Sequence, residues 1–179
     1  IQYIGNGIEI SKEPLTRNYN NPGLQVLYVG RGTAEKRVHL VAQMAEKLHA
    51  TDPDIIFLFL GDTEQAIPRH LHQYCQFFPY TSDEKKIIAL YDRADVLMIT
   101  PDTEGFPMVV MEAMTRGCAI VATPVGDLPV HIENNISGFL FSAVLNEELI
   151  VQEGVQSLRE LKHNLALREK ISKHNIEYA

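Results

Sequence analysis

Residues 96–122 read VLMITPDTEGFPMVVMEAMTRGCAIVA, and their reading decides the fold. Val96–Thr100 and Ala119–Ala122 are short runs, apolar throughout but for the closing Thr100, the pattern of strands covered on both faces. Between them lies a polar loop and then a helix predicted over Pro107–Arg116. Pro107 suits the first helical position, and Gly117 suits the residue just past the end. The helix is apolar almost all round, which predicts that it is buried. Strand, helix and strand at this spacing make a βαβ unit.

The same alternation extends outward. Upstream, Gln25–Val29 is a strand ending in Gly-Arg-Gly. Val38, Val41, Ala42, Ala45 and Leu48 then predict an amphipathic helix from about Lys36 to His49. Ile55–Leu60 is a strand bounded by Pro53 and Gly61, and Tyr74–Phe78 is a third. Asp83 caps a helix carrying Ile87, Ile88, Leu90 and Tyr91. Downstream come a short helix over Leu128–Glu133, a strand over Phe139–Phe141, and helices over Asn146–His163 and Leu165–Tyr178. The expected fold is α/β: a Rossmann-like parallel sheet of about six strands with helices on both faces. Residues 1–24 read as an entry or linker segment and 25–179 as the folded domain. Both ends of the sequence read as cut from a longer chain. Ligands on such sheets sit at the C-terminal ends of the strands, which directs attention to the loops after Val29, Leu60, Phe78, Thr100 and Ala122.

Composition narrows the function. The 179 residues are 45% hydrophobic and 22% charged, ordinary for a globular domain, and the formal net charge is -7. That balance argues against a nucleic-acid partner. No apolar run reaches the ~18 residues of a membrane span, and the N-terminus lacks the charged and apolar regions of a signal peptide. Cys75 and Cys118 read as two free, buried thiols of a reducing compartment, so a cytoplasmic location is expected.

Two loops carry candidate chemistry. The first, Gly30-Arg31-Gly32-Thr33-Ala34-Glu35-Lys36, is neither a dinucleotide fingerprint, since Glu35 takes the third glycine position, nor a P-loop. Arg31 offers a bidentate pair to a phosphate and Lys36 a point charge; both also fit solvated surface cations. In the second, Gly105 would let a ligand approach the backbone. Glu104 lies beside a helix start, where free N–H groups favour an anion. Glu112 sits within the apolar helix, where a carboxylate needs a partner: a pair of ligand hydroxyls, or a buried Arg or Tyr. Other suggestive residues weigh less. Asp52-Pro53-Asp54 precedes a strand, at the wrong end of the sheet for a metal site. His70 and His72 lack a third ligand in the sequence, and Lys85-Lys86 reads as a solvated helix face.

Taken in order, these residues resemble a known family. Val29-Gly30-Arg31 with Glu35-Lys36, Ala94-Asp95-Val96, Glu104-Gly105-Phe106-Pro107, Glu112-Ala113-Met114, Gly117, Val121-Ala122-Thr123, Val125-Gly126 and Gly138-Phe139-Leu140 are similar to the retaining glycosyltransferases of family 4, which have the GT-B fold. Gly5-Asn6-Gly7-Ile8 resembles the segment that opens that family's C-terminal, donor-binding domain.

The resemblance implies roles. Arg31 and Lys36 would hold the donor diphosphate, beside Gly30, and stabilise it as it leaves. Glu104 would bond the transferred sugar close to its anomeric carbon, so these three are the expected catalytic residues. Glu112 would take the ribose hydroxyls. Backbone N–H groups of Phe106, Met108 and Val109, with Gly105 and Pro107 shaping the loop, would lie near the phosphates and sugar. The base would sit around Phe78–Tyr80. Neither a metal nor another cofactor is expected. The partners implied are a nucleotide-sugar donor and an N-terminal acceptor-binding domain, which would also carry any membrane association, so the isolated domain would transfer little. Arg37 stands where the family often has Gly. Asp127 and Val130 replace the second Gly and the Glu of its Gly-Gly-x-Pro-Glu stretch. A non-catalytic nucleotide-sugar-binding module is the alternative. A dinucleotide-dependent oxidoreductase, with Asp62 as its ribose acid, is a more distant one.

Overall fold

The computed structural model describes residues 23–179. Gly5–Ile8 and most of the expected entry segment therefore lie outside the described residues. Six strands form one sheet: β1 Leu24–Val29, β2 Ile55–Leu60, β3 Cys75–Phe78, β4 Val96–Ile99, β5 Ala119–Ala122 and β6 Gly138–Leu140. Their order is β3-β2-β1-β4-β5-β6, and every neighbouring pair is parallel. This is the Rossmann-like order.

Alternation along the strands builds two cores. Val26, Tyr28, Phe57, Phe59, Val96 and Met98 face one side, where α1 (Val38–His49) and α5 (Glu147–His163) cover them. Leu27, Leu58, Leu60, Leu97 and Ile99 face the other, under α2 (Glu84–Arg93), α3 (Met108–Thr115) and α4 (Leu128–His131). Residues one apart thus serve opposite layers, which is why these strands read as unbroken apolar runs. The last helix, α6 (Leu165–Tyr178), packs against both α5 and α3. Asn146 caps α5 by accepting from the Leu149 N–H at 3.1 Å, and Asn164 caps α6 by accepting from the Leu167 N–H at 3.0 Å.

Several boundaries differ from expectation. Lys36 ends a 3-10 turn, Ala34–Lys36, and α1 starts only at Val38. Arg37 between them is left-handed, with φ 46°, so the helix cannot run through it. Tyr74 belongs to a 3-10 segment, Arg69–Tyr74, and β3 begins at Cys75. The short helix α4 stops at His131, and β6 sits one residue earlier than expected. Pro107 is extended, with ψ 121°, and caps α3 instead of opening its first turn. The helix itself is buried on one side only: Val110, Ala113 and Met114 are in the core, while Met108, Val109 and Glu112 face a cavity. An apolar stripe that contacts a ligand cavity cannot be told from a core stripe by periodicity. Both cysteines are free thiols, as expected, but Cys75 is half-buried; desolvation still pushes its thiol up to about 12.

Candidate functional site

The chain leaves β1 toward β2 on one side of the sheet and β4 toward β5 on the other. A crevice opens where those directions diverge, at the C-terminal edge. A cavity of about 480 Å³ occupies it, in the size range of small-molecule sites. Of the candidate residues, Gly30, Arg31, Lys36, Tyr80, Glu104, Phe106, Pro107, Met108, Val109 and Glu112 line it.

Two do not. Phe78 packs into the core layer under α2 and faces a neighbouring depression with Gly61, Asp62 and Pro79. Gly105 sits at the exposed tip of its loop, and a Cβ there would meet nothing within 4 Å. The glycine that the loop requires is Gly126. Its φ is 54°, and a Cβ there would strike the carbonyl oxygens of Glu104 and Gly105. The next N–H, of Asp127, donates to the Gly105 carbonyl at 3.1 Å. Val130, the other departure nearby, is 77% exposed and is not on the cavity wall.

The two candidate loops are sewn together. Asp102 N–H donates to the Glu35 carbonyl at 2.9 Å, and the Thr100 hydroxyl donates to the Arg37 carbonyl at 3.0 Å. The buried Arg37 guanidinium completes the seam. It donates to the carbonyls of Thr100 at 2.8 Å, Pro101 at 2.9 Å and Val144 at 2.6 Å. Lys36 reaches across the seam into an ion pair with Glu104, both side chains being largely shielded. The first loop also rests on the turn after β2. Gly32 N–H donates to the Asp62 carbonyl at 3.0 Å, and Gly61, at φ 121°, lies so close to the Gly30 carbonyl that a Cβ would collide with it.

Electrostatics follow from these contacts. The Thr33 hydroxyl donates to Glu35 at 2.6 Å and holds that carboxyl below its ordinary range. Burial pushes the Tyr28 phenol upward, and Glu35 and Glu104 add to the effect; its hydroxyl donates to the Arg31 carbonyl at 3.1 Å. Glu112 has a protein partner of the kind anticipated. The buried Tyr91 hydroxyl donates to Glu112 Oε2 at 2.7 Å, and burial together with that carboxylate raises the Tyr91 phenol. The contact takes one carboxylate oxygen and leaves Glu112 on the cavity wall.

Sequence reasoning missed Tyr28, which lines the cavity but reads as an ordinary core residue of β1. It noticed Arg37 only as a departure from a pattern. Asp62 does line the cavity. Asp52 and Asp54 lie at the far end of the sheet and are engaged by Lys162 and, for Asp52, Arg159. Lys85 and Lys86 are exposed. Among the described residues no group of three or more His, Cys, Asp and Glu is placed to hold a metal. No helix there is long and apolar enough to cross a membrane.

The parallel six-stranded sheet, with its cavity at the switch point, defines a Rossmann-like domain of the GT-B glycosyltransferase type. The solved structure of TarM from S. aureus superposes with a TM-score of 0.79 at 20% identity, covering 98% of this chain and 34% of TarM. HepE of Anabaena, solved in complex with UDP-glucose, gives 0.69 at 21% identity over 87% of this chain and 43% of HepE. The family model for glycosyl transferases group 1 matches residues 12–177, so the chain belongs to that family. Sulfoquinovosyl transferase SQD2 of Arabidopsis thaliana is 29% identical over 153 residues, 83% of this chain and 28% of the relative. The chain thus spans roughly a third of the length of the proteins it matches.

Proposed function

We propose that the chain is the C-terminal, donor-binding domain of a retaining family 4 glycosyltransferase and binds a nucleoside-diphosphate sugar in the switch-point cavity. The observation that carries this reading is convergence. Arg31, Lys36, Glu104, Glu112 and the N-terminal turn of α3, drawn from two loops and a helix far apart in sequence, meet on one cavity wall. Arg31, Lys36 and the N–H groups at the start of α3 suit a diphosphate and oppose its negative charge as it departs. Glu104 suits sugar hydroxyls, and Glu112 suits the vicinal hydroxyls of a ribose. Tyr80 and Thr81 line the same cavity and would flank the base. A structural neighbour was captured with UDP-glucose, which makes uridine the first base to test.

The acceptor would be held by the remainder of the parent enzyme, so the domain alone would bind donor without transferring its sugar. Retention would require the acceptor to attack from the face that the diphosphate leaves. No divalent metal is needed in this reading, because two side-chain cations and a helix N-terminus meet the phosphate charge.

Calorimetric titration with UDP, GDP and their glucose or mannose esters tests the proposal. Arg31→Ala and Lys36→Ala should each cost about 1.5–3 kcal/mol of diphosphate binding, the range for hydrogen bonds to charged groups. EDTA should leave the affinity unchanged. Unaltered binding in both alanine variants would sink the phosphate assignment, and loss of binding in EDTA with recovery in magnesium would sink the metal-free one.

A further inference from the structure

The Lys36–Glu104 ion pair has a consequence for the order in which ligands prefer the site. Both residues line the cavity, and the pair joins loops 68 residues apart. Only 24% of the Lys36 side chain and 20% of the Glu104 side chain are exposed, so solvent screens their attraction weakly. A ligand that takes Lys36 for its phosphates must displace Glu104 or share the cation with it.

The two ligands of a donor site differ at this point. A bare nucleoside diphosphate ends in a free phosphate that carries more negative charge than the corresponding sugar ester. It has no donor to offer Glu104, so the displaced carboxylate would face phosphate oxygens. A nucleotide sugar carries less charge and presents hydroxyls, which can donate to a carboxylate in place of the Lys36 ammonium. The exchange is therefore unfavourable for the first ligand and compensated for the second.

We propose that Glu104, through its ion pair with Lys36, sets the preference of the cavity for a nucleotide sugar over the bare nucleoside diphosphate, so that spent donor is bound less tightly than fresh donor. The inference rests on the donor-site reading above and adds a discriminating role to it. It also reverses a simple expectation: removing Glu104 should strengthen binding of the diphosphate.

The experiment titrates UDP and UDP-glucose, with GDP and GDP-mannose as a second pair, into the intact protein and its Glu104→Gln, Glu104→Ala and Glu35→Gln variants. Melting temperatures near that of the parent establish folding, and the alanine variant stands in if the amide disturbs the loop. Glu104→Gln and Glu104→Ala should bind the diphosphate about fivefold more tightly, the equivalent of one partly shielded ion pair. The sugar ester should bind equally or less well, so that its advantage shrinks. Glu35 lies one residue from Lys36, and its side chain is bonded to Thr33. Its substitution changes the net charge equally and relieves its through-space attraction to Lys36 and Arg31, so it should tighten both ligands alike and leave the preference as it was. Diphosphate binding that is unchanged or weaker in folded Glu104 variants overturns the proposal, as does an equal change of preference in Glu35→Gln. Those outcomes leave the donor site itself standing when Arg31→Ala still weakens the diphosphate. Binding of neither ligand pair by the parent protein overturns both readings.

Discussion

The two ends of the sheet use similar charged residues in opposite ways. At the N-terminal end, Asp52 accepts from Arg159 Nε at 3.0 Å, Lys162 Nζ at 3.0 Å and the Thr51 hydroxyl at 2.9 Å, and Lys162 also reaches Asp54 at 2.6 Å. Each carboxylate there is answered by the chain itself, and the cluster fastens the turn before β2 to α5. At the C-terminal end, Arg31, Lys36, Glu104 and Glu112 converge on a cavity, and the contacts they make leave them lining it. Two aspartates spaced like metal ligands thus close a structural joint, while two glutamates further apart in sequence share a pocket. Strand direction separates these cases: only the carboxyl ends of parallel strands face the crevice where a ligand can enter.

The seam at Arg37 is where this contrast should break hardest, because its three hydrogen bonds belong to the fold while the residues beside it belong to the cavity. Arg37→Ala would remove the guanidinium from the carbonyls of Thr100, Pro101 and Val144, of which Pro101 keeps the Thr123 hydroxyl at 2.5 Å. We expect a loss of about 3 kcal/mol or more in chemical denaturation. Arg37→Gly should lose about 1 kcal/mol less than Arg37→Ala, since the backbone there is left-handed and glycine adopts that conformation without penalty. Equal losses in the two variants would show that the backbone strain contributes nothing.

The far-end cluster comes next in size. Burial opposes ionisation of Asp52, but hydrogen bonds from Lys162, Arg159 and Thr51 outweigh it and bring its pKa to about 2. The Lys162 hydrogen bond likewise lowers Asp54. A carboxylate with a depressed folded-state value stabilises the fold above its unfolded value near 3.9, and the stabilisation is lost as pH falls toward 2. Asp52→Asn should therefore cost about 1–2 kcal/mol at neutral pH, a partly screened network lying between the surface and buried limits. The difference from the parent protein should shrink between about pH 5 and pH 2. Affinity for UDP should not change. A pH-independent penalty would remove the ion pairs from the explanation, and weakened UDP binding would mean that the two ends of the sheet are coupled.

How far the sequence revealed each end also differs. The strands were legible because β2 and β4 are apolar at every position, a pattern that only a doubly covered strand requires, and β2, β5 and α6 fall at the expected residues. The candidate site was legible where a residue's chemistry is local. Arg31 and Lys36 stand on one short loop, and Glu104 precedes the helix that carries Glu112. It was illegible where the deciding fact is a backbone angle or a distant contact. Nothing in a string of letters gives Arg37 its φ of 46° or brings Lys36 to Glu104. The sequence offers Gly105 for a close ligand approach, yet the crowding is at Gly126, against the carbonyls of Glu104 and Gly105. Phe78 and Tyr80 look interchangeable as neighbours of a base. Phe78, still within β3, turns into the core, while Tyr80 beyond it is 71% exposed and lines the cavity.

The smallest expected effect probes Glu112, a cavity carboxylate with a buried partner of its own. Tyr91 is 1% exposed and donates to Oε2 from beneath the cavity wall, so it fixes the carboxylate without standing in the cavity itself. Compare Asp52, whose neighbours saturate it; here a phenol holds the group while leaving it on the cavity wall. Tyr91→Phe keeps the ring in the core and removes only that donor. Because Glu112 is half-exposed and water can replace the hydroxyl, stability should fall by about 1 kcal/mol or less. If the phenol orients Glu112 toward ribose hydroxyls, the variant should also weaken UDP binding about two- to fivefold, less than Glu112→Gln does. The informative measurement is the double variant. With the carboxylate already gone, loss of the Tyr91 hydroxyl should cost UDP binding little more, because both changes act through one contact. Full additivity of the two losses in calorimetry would mean that Tyr91 does not act through Glu112, and an unchanged affinity in Tyr91→Phe would mean that the carboxylate needs no orienting partner to bind.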